Sequence, residues 1–196
     1  MKFLILLFCF LNISLVNAVE VGQVAPSFEL RSANGKLIKL KELRGKIVVL
    51  EWLNHGCPFI KKHYFSGNMQ AMQKKYTQQG VVWLSVISSA KGKQGYSDPD
   101  KAKEDRKKLS SFASHILLDT NGKVGMKYEA KTTPHMFVIN KDGILSYQGA
   151  IDSIASVNVQ DIKSATNYVA AALNALIQQK DVEVAKTKPY GCSVKY

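Results

Sequence analysis

The sequence has few cysteines and few arginines, and each shortage excludes a class of protein. Its 196 residues contain only three cysteines, at positions 9, 57 and 192. A small disulfide-rich scaffold needs more cysteines, and no two of these are close enough in sequence to supply the paired ligands of a zinc site. Only three of the 27 basic residues are arginines. Because arginine makes the bidentate contacts typical of specific nucleic-acid recognition, the sequence does not indicate a nucleic-acid partner.

Proline and glycine are also scarce, with 5 and 13 residues, while 46% of the chain is hydrophobic. This composition excludes a disordered or collagen-like chain, and the length suits one ordinary domain. The net charge of +12 is carried mostly by lysine. Its densest stretch, residues 101–108, is interrupted by Glu104 and Asp105. This pattern favours a solvated helix face, with weak attraction to anionic surfaces left open.

The first eighteen residues have the pattern of a secretory signal peptide. Lys2 supplies a positive start, an unbroken apolar run covers residues 3–11, and Ala18 is a small residue suited to signal peptidase. The run is shorter than the roughly 20 apolar residues that a membrane-spanning helix needs. We therefore expect cleavage after Ala18, a secreted or periplasmic protein, and no stable membrane insertion.

The exported chain reads as an alternation of strands and helices. Nearly continuous apolar runs at 47–53 and 81–87 indicate buried strands, and good helix formers fill residues 58–79 between them. This is a βαβ unit with a parallel pair of strands. The remaining predicted elements are a helix at 99–113, a strand at 116–118, a hairpin of 136–140 with 144–148, and a helix at 161–178. We expect one domain over residues 19–178 and a tail over 179–196.

Cys57 lies where the first buried strand meets the first helix, and Pro58 suits the first helical position. Unpaired backbone N–H groups and the positive end of the helix dipole favour a thiolate at that position. Lys61, Lys62 and His63 add positive charge nearby. The pattern indicates an accessible thiol of low pKa, suited to redox chemistry. The alternative is a small buried hydrophobic residue.

Several segments of the exported chain resemble the peroxiredoxin-like (redoxin, AhpC/TSA-type) branch of the thioredoxin-like superfamily. They are the N-terminal segment 22–30, the corner 51–60 with its Asn-His-Gly-Cys-Pro sequence, 67–70, 131–135, and the Gly-Cys-Ser-Val-Lys-Tyr tail. The resemblance implies an α/β thioredoxin-like fold, a central mixed β-sheet flanked by helices, and no cofactor. It also implies that Cys57 is the reactive thiol and Pro134 a cis-proline, with Thr133, Pro134 and His135 at the edge where a substrate docks.

Two departures from that pattern bear on activity. Ile60 stands where a thioredoxin-type oxidoreductase has its second cysteine, so the corner alone holds no dithiol. Asn54 and Leu50 stand where a typical peroxiredoxin has threonine or serine and proline. The sequence therefore leaves disulfide exchange and peroxide reduction as alternatives.

Cys192 is the candidate for the missing partner. If the tail folds back, Cys192 resolves an oxidised Cys57, through a sulfenic acid or a mixed disulfide. Two alternatives stay open at this point. A permanent disulfide would pin the tail, and in the chain-entropy model closing such a long loop is worth roughly 4 to 5 kcal/mol. Otherwise Cys192 is unpaired or pairs between chains.

Other polar residues could support the thiol. Glu51, inside an apolar strand, is either a buried proton acceptor or a residue at a sheet edge. Asn54 and His55 flank the corner, and His55, His63 and His135 could each approach Cys57, where they tune the thiol or bind a soft metal. We take the first reading and assign no metal.

The sequence thus predicts an exported thiol oxidoreductase that uses Cys57 and Cys192. Its expected partners are a protein disulfide or a peroxide as substrate and an external thiol as reductant. The alternative is a non-catalytic binding module or metallochaperone with structural or ligating cysteines.

Overall fold

The computed structural model describes residues 19–196, and its centre is a five-stranded sheet. The strands are β1 Glu29–Arg31, β2 Leu37–Lys39, β3 Val48–Trp52, β4 Val82–Ile87, β5 His115–Leu118, β6 Thr132–Thr133, β7 Met136–Ile139, β8 Leu145–Gly149 and β9 Cys192–Ser193. The α-helices are α1 Pro58–Phe65, α2 Asn68–Thr77, α3 Pro99–Lys108, α4 Lys123–Lys127 and α5 Tyr168–Ile177.

The strands of the central sheet lie in the order β5-β4-β3-β7-β8. The sheet is mixed, as expected for a thioredoxin-like fold. Strands β3, β4 and β5 are parallel, whereas β7 runs antiparallel to β3 and β8 antiparallel to β7. Every residue of β3 is buried, which explains its continuous apolar sequence. One apolar cluster on each face of the sheet covers the strands. The predicted α/β class and thioredoxin-like fold are confirmed.

Some predicted helices differ in extent. The single helix expected over 58–79 is two, because Gly67 adopts a left-handed conformation with φ of +77° between α1 and α2. The helix expected at 161–178 begins later, where the side chain of Asn167 caps α5, and a short 3-10 helix, Val159–Lys163, precedes it. The helix expected to reach residue 113 ends at Lys108.

The C-terminal tail packs against the sheet as an ordered strap. The backbone of Gln148 in β8 pairs with Ala185 and Thr187, and further along β9 pairs antiparallel with β6. Near the end of the chain, Ala90 donates its backbone N–H to the Lys195 carbonyl. The tail therefore covers the exposed edge of β8 before it reaches β6, and both ends of the strap are held by hydrogen bonds.

Over residues 19–196, none of the helices is long and apolar enough to cross a lipid bilayer. The predicted signal peptide, residues 1–18, lies outside the described residues.

Candidate active site

The corner before α1 holds Cys57 in a fixed position. Cys57 is the N-cap residue of α1, and Pro58 occupies the first turn. Its backbone N–H donates to the Asn54 carbonyl at 2.9 Å, and the Asn54 side chain accepts from Gly56 N–H at 2.9 Å. Asn54 in turn donates to the side chain of Gln94 at 3.1 Å. The predicted strand-to-helix corner is confirmed, and Asn54 closes it.

The tail brings Cys192 directly to Cys57. Their sulfurs, both thiols, lie 2.9 Å apart, and Cys57 Sγ lies 3.0 Å from the carbonyl oxygen of Thr133. Thr133 and Cys192 are register partners between β6 and β9. The peptide bond between Thr133 and Pro134 is cis, as the family resemblance implied. Residues 135 positions apart in sequence thus form one dithiol.

The two thiols differ in acidity. Burial opposes ionisation of Cys57, but hydrogen bonds from Cys192, from the backbone of Ile60 and from Thr133 outweigh it and lower its pKa. For Cys192, burial, the hydrogen bond to Cys57 and the negative charge of Cys57 raise the pKa to about 11. Cys57 is therefore the more acidic thiol of the pair, and Cys192 is the less acidic one.

Cys57 is less accessible than the sequence indicated. Its residue exposure is 0%, because β9 covers it, whereas Cys192 is half-buried. Its lowered pKa comes from hydrogen bonds, and not from the nearby lysines that the sequence suggested. Lys61 is exposed, and the ammonium of Lys62 is turned into the interior, 3.5 Å from Asp152. Contacts with the tail and the helix terminus therefore replace the lysines as the source of the low pKa.

Glu51 is buried in the sheet and does not touch the thiol. Its carboxylate accepts hydrogen bonds from Tyr64, Trp83, Ser85 and Gln73, at 2.8 to 3.1 Å. Glu51 therefore lies on the central strand of the sheet and not at an edge, and these hydrogen bonds join its carboxylate to groups other than the Cys57 thiol. Burial still raises the pKa of the Glu51 carboxyl.

The three histidines do not meet at Cys57. The Nδ1 of His55 lies 3.1 Å from Asp105 of α3. The ring of His63 lies between Asn68 and the hydroxyl of Tyr190. His135 is buried, accepts from the N–H of Lys131 at 3.2 Å, and its ring centroid lies 4.4 Å from that of Phe137. Each histidine is therefore held by a partner other than the Cys57 thiol.

Between residues 19 and 196, no group of three or more histidine, cysteine, aspartate or glutamate side chains is placed to hold a metal ion.

Three further features of the site were not predicted from the sequence. Gly191 lies against the Thr133 carbonyl, where a Cβ would come within 2.1 Å of the oxygen. The amide of Gln94 closes the Asn54 corner from a distant loop. Lys62, Asp152 and Tyr190 meet beside the tail. Each feature depends on contacts between segments that are distant in sequence, so no local sequence pattern predicts it.

Comparison with known proteins places this site in a family. Residues 21–148 match the model of the AhpC/TSA family, which is more than half of the chain. The chain belongs to the AhpC/TSA family. The matched segment contains Cys57 and the Thr133-Pro134 edge, whereas the tail with Cys192 lies beyond it.

This AhpC/TSA member is similar to proteins named for thiol chemistry. It is 29% identical to thiol-disulfide oxidoreductase ResA of Bacillus subtilis over 71% of this chain and 76% of ResA. It is 28% identical to the Coxiella burnetii protein named peroxiredoxin bcp, over 66% and 87% of the two chains. A crystal structure of an uncharacterized conserved protein from Geobacillus kaustophilus superposes with a TM-score of 0.75 at 24% identity, covering 92% and 94%. The predicted redoxin-type thiol oxidoreductase is confirmed at the level of the family.

The buried histidines predict a loss of stability in acid. Burial lowers the pKa of His135 to about 3 and that of His63 to about 4, whereas the ordinary value is 6.5. Below pH 6.5 the unfolded chain therefore binds protons that the folded chain does not, so stability falls as the pH falls. Glu51 acts in the opposite sense, since its raised pKa favours the folded state as the carboxyl protonates.

A His135→Asn variant isolates one histidine, because asparagine keeps an acceptor for Lys131 and does not titrate. Relative to wild type, its free energy of unfolding should rise by about 1.4 kcal/mol for each pH unit below about 6. Urea unfolding at pH 7, 6 and 5 measures this difference. Parallel pH dependences of the two proteins would contradict the assignment.

Proposed function

We propose that this protein is an exported thiol-disulfide oxidoreductase in which Cys57 is the nucleophile and Cys192 the resolving thiol. The observation that carries the proposal is the 2.9 Å approach of the two sulfurs on the Thr133 edge. The lowered pKa of Cys57 and the raised pKa of Cys192 suit these roles, because the more acidic thiol is the better first nucleophile and the less acidic one stays protonated until the second step.

The proposed cycle uses two displacements. The Cys57 thiolate attacks one sulfur of a substrate disulfide, which forms a mixed disulfide and releases the first substrate sulfur as a thiolate. Deprotonated Cys192 then attacks Cys57 Sγ, which forms the internal disulfide and releases the second substrate thiolate. The substrate gains two electrons, and with two protons it becomes a dithiol. An external dithiol reverses these steps and restores both cysteines.

Because Cys57 is buried beneath β9, the first attack requires β9 to separate from β6. That movement exposes the backbone of Thr133 beside the thiolate. An exposed strand edge pairs readily with an extended chain, which favours a protein or peptide disulfide as substrate. In this proposal Thr133 and Pro134 form the docking edge and Asn54 holds the corner. The buried ring of His135 has no part in docking.

The proposal includes the division of the chain. Residues 1–18 act as a signal peptide, residues 19–178 form the redoxin domain, and residues 179–196 form the tail that carries Cys192. Export to an oxidising compartment is supported by the even number of cysteines left in the mature chain, because such compartments favour disulfide chemistry.

Peroxide reduction is the second candidate, favoured by the lowered pKa of Cys57 beside a resolving thiol. In that reaction the thiolate attacks a peroxide oxygen and releases an alcohol or water, leaving a sulfenic acid. Cys192 then displaces water to form the disulfide. Against it, the hydrogen bonds of Arg31 and Arg106 go to backbone carbonyls elsewhere, and the guanidinium of Arg44 lies against Gly143. Hence no arginine is placed to bind a peroxide at Cys57.

A direct comparison of substrates tests this choice. The reduced mature protein is mixed with a peptide disulfide or with hydrogen peroxide, and loss of its two thiols is followed over time. We expect the peptide disulfide to oxidise the protein at least tenfold faster at equal concentration. Faster oxidation by peroxide would overturn the exchange proposal in favour of the peroxidase. The Cys57→Ser variant provides the background rate for both substrates.

A further inference from the structure

A cluster of polar side chains lies beside the tail, and the proposed redox steps do not use it. The side chains of Lys62 and Asp152 are 0% and 3% exposed, and Lys62 Nζ lies 3.5 Å from Asp152 Oδ2. Lys62 also donates to the Ile154 carbonyl at 3.0 Å. The Tyr190 hydroxyl donates to Asp152 Oδ1 and lies 3.3 Å from Nε2 of His63. Three separate segments meet here: α1, the chain after β8, and the tail.

A buried lysine needs an explanation. Removing an ammonium and a carboxylate from water costs several kcal/mol per ion, and their mutual attraction often fails to offset that cost. A buried ion pair is therefore weak evidence for added stability. Its best-supported role is to specify one arrangement of the segments that it joins. In this protein the segments joined are α1, which begins at Cys57, and the tail, which carries Cys192.

The cluster links the two cysteines by short paths. The rings of Phe59 and Tyr190 lie 5.6 Å apart, and Lys62 Nζ lies 5.8 Å from the centroid of the Tyr190 ring. Phe59 follows Cys57 by two residues, and Tyr190 precedes Cys192 by two. The contact between Tyr190 and Phe59 therefore joins the two chain segments at a point only two residues from each cysteine.

We propose that Tyr190 is a positioning residue whose hydroxyl, bound by Asp152 in the cluster with Lys62, holds the tail so that Cys192 stays against Cys57. This inference rests on the proposed function, because it concerns the same pair of cysteines. Holding two reacting groups together raises the effective concentration of one at the other. The equilibrium between the dithiol and the internal disulfide responds directly to that concentration.

A Tyr190→Phe variant tests the role with little change in packing. Phenylalanine keeps the ring beside Phe59 and removes only the hydroxyl, with its contacts to Asp152 and His63. We expect the equilibrium constant for forming the Cys57-Cys192 disulfide, measured against dithiothreitol, to fall at least tenfold. This corresponds to a rise of about 30 mV in the reduction potential.

The matched control is Tyr76→Phe. The hydroxyl of Tyr76, on α2, donates to the Ala170 carbonyl at 3.2 Å and lies 3.0 Å from the side-chain oxygen of Asn174. Its removal costs the fold a comparable hydrogen bond away from the cysteines. Mature wild type and both variants are equilibrated in mixtures of reduced and oxidised dithiothreitol. The thiols are then alkylated, and mass spectrometry gives the oxidised fraction. Circular dichroism verifies that each protein is folded.

Each outcome has a distinct meaning. A tenfold fall for Tyr190→Phe, with Tyr76→Phe within twofold of wild type, supports the positioning role. A Tyr190→Phe constant within twofold of wild type overturns that role and leaves the proposed function intact. Equal falls in both variants also overturn it, because they indicate a general loss of stability. If wild type forms no disulfide between the two cysteines, the proposed function and the positioning role both fail.

Discussion

Replacing Cys57 with serine is expected to abolish thiol-disulfide exchange, whereas replacing Cys192 is expected to stop the cycle halfway. Cys57 is the more acidic thiol of the pair and the proposed nucleophile, so without it no first bond to the substrate should form. In Cys192→Ser the first bond still forms, but no neighbouring thiol displaces the substrate. We expect this variant to accumulate a mixed disulfide on Cys57 with a model peptide disulfide.

The measurement is the rate of peptide disulfide reduction together with intact mass. Cys57→Ser should lose at least 1000-fold in rate, which corresponds to about 4 kcal/mol in the activation free energy. Serine fits the space, because its hydroxyl can donate to the Thr133 carbonyl that lies 3.0 Å from the sulfur. Two results would show that the roles are assigned the wrong way round. One is near-normal turnover by Cys57→Ser, and the other is a stable peptide adduct on Cys192 in that variant.

A methyl group at Gly191 is expected to displace the tail. The Cβ of an alanine there would lie 2.1 Å from the Thr133 oxygen and 2.7 Å from its carbonyl carbon. These are backbone atoms, so they have little freedom to move aside. The φ of +140° is also one that residues with a side chain rarely adopt. In Gly191→Ala, β9 should therefore leave β6 and carry Cys192 away from Cys57.

Two readouts follow from that displacement. The equilibrium constant for the internal disulfide should fall by at least 100-fold, and Cys57, now uncovered, should react faster with an alkylating reagent. Gly35→Ala is the matched control, because Gly35 also has a positive φ, +79°, but no atom within 4 Å of its added Cβ. Gly35→Ala should lose about 1 kcal/mol of stability, and its equilibrium constant for the internal disulfide should equal that of wild type. Protection of Cys57 in Gly191→Ala equal to that in Gly35→Ala would mean that β9 does not cover the thiol.

The parts of the site that the sequence predicted are those set by local rules. Strand β3 is buried on both sides, so its apolar run is continuous, and Pro58 marks the start of α1. Because Cys57 lies between the end of β3 and Pro58, its position at a helix N-terminus could be predicted. The division of the 58–79 helix was missed because good helix formers lie on both sides of Gly67. A single glycine with open space around it was enough to break the helix.

The parts that the sequence did not predict depend on distant contacts. Lys62 was expected to add positive charge near Cys57, but it is buried against Asp152 and the Ile154 carbonyl, about 90 residues later in the chain. Strand β9 has just two residues, too short for any periodic pattern, and its position is set by pairing with β6. The burial of Cys57 follows from that pairing. The position of Cys57 at a helix N-terminus was therefore predictable, and its burial beneath β9 was not.

The central claim is that Cys57 and Cys192 of one chain form a reversible redox pair. The most direct test is to oxidise the reduced mature protein with oxidised glutathione, map its disulfides by peptide mass spectrometry, and then titrate it with dithiothreitol. We expect loss of two hydrogens per chain, a single peptide pair joining Cys57 to Cys192, and full recovery of both thiols. Separate glutathione adducts on the two cysteines, a disulfide between chains, or a pair that resists dithiothreitol would contradict it.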